Sequence, residues 1–174
     1  MFGVEVDIVP FGGVEVRRRV RFADDHLLDV TGLQEAHSTS VTVRMPGGRE
    51  LQVASPAMQT ALKVLAWRDR HHDNPKDGLD LRVILSAMSE EPFVNEVWED
   101  DEALNATDDD IITAASYHIA RRAAAAFSPQ DGQAVLDVLE DPGNRAALER
   151  DMRSMLAAEL LAGYTKGFTA GSAR

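Results

Sequence analysis

The chain is 174 residues long, 44% hydrophobic and 27% charged, with a formal net charge of −11. That is enough sequence for one domain, or one domain with a helical appendage, around a real core; it is too apolar for a disordered chain, and its lack of cysteine excludes disulfides, thiol chemistry and cysteine-bound zinc. The negative charge opposes non-specific nucleic-acid binding, which works through basic residues that displace counterions, although Arg17, Arg18, Arg19, Arg21 and Arg44 gather in the first quarter and leave room for a local basic groove.

The N-terminus is apolar but lacks the basic segment and cleavage site of an export signal, which points to the cytoplasm. No apolar run approaches the ~20 residues that cross a bilayer. Val4, Val6 and Ile8 alternate with Glu5 and Asp7, the period-2 mark of a half-buried strand, which Pro10 and Gly12-Gly13 close. Val14, Val16, Val20 and Phe22 alternate with Glu15, Arg17, Arg19 and Arg21 and predict a second strand with one charged face. A turn and short helix follow over 31–36, and residues 39–45 and 49–53 flank Pro46-Gly47-Gly48 as a hairpin.

The second half reads as helical. Ser55-Pro56 supplies an N-cap and a proline at the first helical position. Asn74-Pro75 repeats the device ahead of an inward stripe of Leu81, Ile84, Leu85 and Met88. Residues 89–107 are acidic and irregular, and helices are predicted over 108–127, 129–140 and 144–166, the last two separated by Pro142-Gly143. The pattern is that of an α/β (α+β) chain: a mixed sheet backed by helices in residues 1–89, an acidic connector over 90–107 and a C-terminal helical bundle over 108–174.

Asp7 is a carboxylate raised opposite the apolar face of its strand, a mount suited to Mg²⁺, which prefers carboxylate oxygens. It is equally readable as a solvent-facing strand residue. Lys63 stands beside the buried stripe Met58, Ala61, Leu62 and Leu65, and Arg70 lies two turns on along the same face. Two cations so aligned suit the phosphates of a nucleotide or a solvated helix face. Asp77, four residues before Leu81 and seven before Ile84, heads an inward stripe. An acid in the first turn of a helix also caps it, and Asp77 follows Asn74 at the capping-box spacing.

Other residues carry less. His71, His72 and Asp73 lack a third metal ligand at a defined spacing and read as a polar turn. His26, His37 and His118 stand isolated. Trp67 reads as core or interface, and Leu148, Met152, Met155 and Leu156 as a packing stripe. No phosphate loop, dinucleotide fingerprint or nucleophile elbow occurs.

The segments GVEVDIVPFGGVE (3–15) and SPAMQTALKVLAWRDRHHDNPKDGLDL (55–81) together resemble the nucleotidyltransferase superfamily in its AbiEii/AbiGii toxin-like branch. VTGLQEAHSTSVTVR, WEDDEALNATDDD and LLAGYTKGF resemble its further stretches in order, so the likeness covers most of the chain. The resemblance implies a nucleotidyltransferase-like fold and makes Asp7 a Mg²⁺ ligand, the third acid of a two-metal site. It makes Lys63, Lys76 and Asp77 catalytic, through the motif Lys/Arg-Asp-x-x-Asp-Leu met at residues 76–81, and Lys63, Arg70 and Lys76 nucleotide-binding. It implies nucleotide transfer from a nucleoside triphosphate to tRNA or a protein, and a cognate antitoxin as partner. The sequence departs from the family in having no Gly-Ser turn followed by an Asp-x-Asp strand, and in its basic run Arg17–Arg21. The expectation is therefore a catalytically incomplete protein, with a homodimer formed through an exposed sheet edge; the alternative is a non-catalytic protein that binds a nucleotide, RNA or protein through the remnant cleft.

Overall fold

The computed structural model describes residues 8–173. The chain is α+β: its strands fall within the first 53 residues, and the rest of the described chain is helical. Strands β1 (Arg19–Arg21) and β2 (Leu27–Asp29) pair antiparallel, as do β3 (Val41–Arg44) and β4 (Glu50–Val53), with Val43 opposite Leu51. Among the described residues these are two separate two-stranded ribbons in place of the single mixed sheet that alternation suggested. The reason lies at Arg17 and Arg18, whose φ angles of 53° and 61° turn the chain. The strand predicted over 14–22 is thereby cut to three residues, and Val14 and Val16 are left exposed. The β3–β4 turn uses Gly47 and Gly48 at φ 92° and 81°, where a side chain would be strained.

Between the ribbons sits α1 (Leu33–Ser38), and after them α2 (Pro56–Arg70) begins as expected. Ser55 Oγ accepts the Met58 N–H at 3.3 Å, and Pro56 occupies the first helical position, where it forfeits no hydrogen bond. The helix α3 (Lys76–Ala87) buries Asp77, Leu81 and Leu85, four residues apart on one face. The acidic segment expected to be irregular holds two short helices, α4 (Val94–Trp98) and α5 (Asp101–Ala106). The second starts where Asp100 Oδ1 accepts the Ala103 N–H at 3.1 Å.

Asp110 and Ser128 cap α6 (Ile111–Ala124) and α7 (Pro129–Glu140) in the same manner. The single helix predicted over 144–166 is two: α8 (Pro142–Met152), capped by Asp141, and α9 (Ala157–Ser172). Arg153 at φ 50° ends α8, so Leu148 and Met152 are buried while Met155 is 97% exposed, and the packing stripe stops halfway.

A single hydrophobic core runs from α2 to α9 and includes Val64, Trp67, Leu81, Val135, Leu148, Leu161, Tyr164 and Phe168; each such side chain, fully buried, contributes ~1.5–3 kcal/mol of transfer free energy. Its spine is the pair α6 and α9. Gly163, Gly167 and Gly171 recur every helical turn on α9, and a Cβ on any of them would press into the backbone carbonyl of Thr113, Tyr117 or Arg121. The two backbones therefore approach more closely than side chains allow. Two polar pairs lie in this core: Trp67 Nε1 donates to Asp151 Oδ2 at 2.8 Å, and the Thr60 and Tyr164 hydroxyls are 2.9 Å apart, whereas the buried Ser116 hydroxyl on α6 has no partner. No helix of the described residues is long and apolar enough to cross a membrane.

Candidate functional site

Helices α2 and α3 are joined by the turn at residues 71–75, which folds the C-terminal half of α2 against the start of α3. His71 closes α2 by stacking on Trp67, with ring centroids 4.0 Å apart, so residues 71–73 are the polar turn the sequence suggested. This geometry brings Lys63 and Arg70 onto Asp77. Lys63 Nζ donates to Asp77 Oδ1 at 2.9 Å and to Asp80 Oδ2 at 2.7 Å. Arg70 donates from Nε to Asp77 Oδ2 at 2.5 Å and from Nη2 to Oδ1 at 2.9 Å, a two-point grip on one carboxylate. Lys76 Nζ reaches Asp80 Oδ2 at 2.9 Å, one turn along its own helix. Asp77 is 1% exposed, so it heads the inward stripe, but as a side-chain anchor for two cations rather than as a cap.

Burial alone would raise the Asp77 carboxyl. The hydrogen bonds and charges of Arg70 and Lys63 outweigh that and hold it below the usual carboxylate range. Asp80 is likewise depressed: burial opposes ionisation less than Lys63 and Lys76 favour it. The same contacts raise Lys63 against its own burial. Asp77 and Asp80 are therefore carboxylates at neutral pH, and Asp69 adds a further negative charge near Arg70. The outer edge of the network reaches solvent, with Arg70 56% and Lys76 68% exposed. A cleft of about 310 Å³ adjoins it through Arg70, walled by Leu28, Leu62 and Leu65 and also by Asp29, Arg68 and Asp69.

Asp7 lies outside the described residues. Among those described, no group of three or more His, Asp or Glu side chains is arranged to hold a metal ion, and Asp77 and Asp80 already have cations as partners. Of the early arginines, Arg17 and Arg19 are exposed. Arg18 is enclosed by Glu15 at 3.2 Å, Asp131 at 2.7 Å and Glu35, while Arg21 and Arg44 pair with Asp25 and Glu50.

Sequence reasoning passed over His118, which is buried on α6 and lies 2.6 Å from Asp100 Oδ2 through Nδ1. Arg121 holds the same oxygen at 2.7 Å. The two partners lie 18 and 21 residues apart with a helix and a turn between, a separation at which no sequence period signals contact. Comparison with protein-family models, with curated proteins and with solved structures finds no match for this chain.

Proposed function

We propose that this chain is a nucleotidyltransferase-like protein of the toxin–antitoxin type, catalytically incomplete in these 174 residues, whose α2–α3 network binds a nucleoside triphosphate. The observation that supports the reading is convergence. Lys63, Arg70, Lys76 and Asp77 are the residues a resemblance singles out, and they belong to one hydrogen-bonded network. The guanidinium of Arg70 and the ammonium of Lys76 reach solvent at its edge, where they can be offered to an anion. The β- and γ-phosphates take the exposed side of Arg70 and Lys76 and replace Asp80 as the partner of the two lysines, while buried Asp77 keeps Arg70 in place. The nucleoside occupies the adjoining cleft. The reaction of this type is Mg²⁺-dependent transfer of a nucleotide to tRNA or a protein, with an antitoxin as partner. Asp7 is the residue the resemblance gives to the metal.

Calorimetric titration with each of the four ribonucleoside triphosphates tests the binding. The expected result is weak binding that tightens at low salt, because screening acts on exposed charges. Lys76→Ala weakens it several-fold and Asp80→Asn, which removes the competing carboxylate, strengthens it. No binding in the parent, or equal affinity in both variants, refutes the reading. A non-catalytic protein that binds a nucleotide, RNA or protein partner through this cleft is the second reading. It is favoured by Asp77, whose two oxygens accept three hydrogen bonds from two cations and so complete the network without a ligand. Binding of RNA or a protein partner by a chain that binds no triphosphate selects it.

A further inference from the structure

We propose that a second cleft, between the β3–β4 ribbon and the helices α2, α4 and α6, binds a small organic carboxylate with an apolar body through the guanidinium of Arg122. The cleft holds about 390 Å³, within the ~300–1,000 Å³ of small-molecule sites. Met58, Met88 and Ile119 are buried in its wall, and Val41 and Phe93 form a half-exposed apolar rim. Its charged and imidazole groups are Glu96, His118 and Arg122, the last two one turn apart on α6.

These groups form a chain of hydrogen bonds. Asp100 is fixed as the cap of α5 and is held below the usual carboxylate range; burial opposes this, and the bonds from His118 and the Ala103 N–H together with the charge of Arg121 outweigh it. An ionised Asp100 accepts from His118 Nδ1–H. Arg122 Nη1 lies 3.3 Å from His118 Nε2, and the same Nη1 holds the carboxylate of Glu96. Glu96 Oε2 also lies 3.8 Å from His118 Nε2. The polar end of the cleft therefore already holds a carboxylate, delivered by a 59% exposed side chain on a five-residue helix. A ligand carboxylate takes this place as Glu96 turns to water, and its apolar body covers Met58 and Phe93. Asp100 and His118 are positioning residues: they set the guanidinium without touching the ligand.

The test is a calorimetric titration of the whole chain with straight-chain carboxylates from butanoate to decanoate, with n-alkylamines and n-alkanols of the same lengths as controls. Carboxylates alone are expected to bind, more tightly as the chain lengthens until the cleft is full. Glu96→Gln, which removes the internal competitor from an exposed pair, tightens binding about threefold, and Arg122→Gln weakens it at least as much. A purely structural Glu96–Arg122 pair predicts no gain on losing Glu96. The proposal is overturned if no carboxylate binds, if amines or alcohols bind equally well, or if Glu96→Gln leaves the affinity unchanged.

Discussion

Replacing Asp77 by Asn keeps the shape of the side chain and removes its charge, which makes it the sharpest probe of the α2–α3 network. Asp77 is 1% exposed and accepts from Lys63 and Arg70, whose side chains are 27% and 56% exposed. Breaking a fully buried pair costs ~3–5 kcal/mol; here the stranded cations can turn to water, which lowers the expected loss to about 2 kcal/mol. With a urea slope of ~2 kcal/mol/M, the unfolding midpoint should fall by about 1 M at pH 7. The pH dependence fixes the cause. A carboxyl whose folded pKa is depressed contributes stability that is present above its unfolded value of ~3.9 and is lost as pH falls through the folded value. Asp77 is depressed, so the deficit of the variant should be full at pH 7 and should shrink as the parent Asp77 protonates in acid. Lys63 is raised, so its share is complete at pH 7 and fades only at alkaline pH beyond the ordinary lysine value. A midpoint shift under about 0.25 M, or a deficit undiminished in acid, would refute the reasoning.

Gly167→Ala should destabilise the fold by about 3 kcal/mol or more, despite the ~1 kcal/mol that alanine gains in helix propensity, because the new methyl meets the Tyr117 backbone. Thermal melting measures it, and an unchanged or raised midpoint would contradict the close approach of α6 and α9. Arg18→Gln leaves Glu15, Glu35 and Asp131 facing one another and should cost about 2 kcal/mol. The loss should be read first in hydrogen exchange of the β1–β2 amides, and protection equal to the parent's there would show that Arg18 does not tie the ribbon to α7.

What could be read from the sequence was local. Ser55-Pro56, Ser128-Pro129 and Pro46-Gly47-Gly48 each state a boundary within a few residues, and α2, α7 and the β3–β4 hairpin follow them. The break between α8 and α9 has no such mark: Arg153-Ser154-Met155 contains neither proline nor glycine, and an apolar period continues through it. The strand expected over 14–22 fails for a distant reason, since Arg18 is drawn to Asp131, 113 residues away, and the chain turns to present it. The candidate site was half legible. Two turns of helix place Lys63 and Arg70 on one face, and the stripe of α3 points Asp77 inward. That these faces meet depends on how residues 71–75 fold, which no periodicity encodes. The glycine ladder was present as spacing alone, one glycine every four residues of α9, and its meaning needs α6 beside it.

Exposure divides the α2–α3 network into a part that holds the fold and a part that can be exchanged. Asp77 has almost no surface and uses both oxygens, so a ligand could replace it only by unfolding the start of α3. Asp80 is 29% exposed, and both its partners are lysines that also reach water. An incoming phosphate loses little by displacing it, for an exposed ion pair is worth at most ~1 kcal/mol, while the phosphate brings more charge than the carboxylate it replaces. The chain's −11 repels anions at long range. That field is screened beyond ~8 Å at physiological salt, so an anion that approaches this edge meets chiefly the exposed ends of Arg70 and Lys76 and the nearby carboxylate of Asp69. Stability and binding therefore follow different aspartates of the same network: removing the charge of Asp77 should weaken the fold, and removing that of Asp80 should favour the ligand.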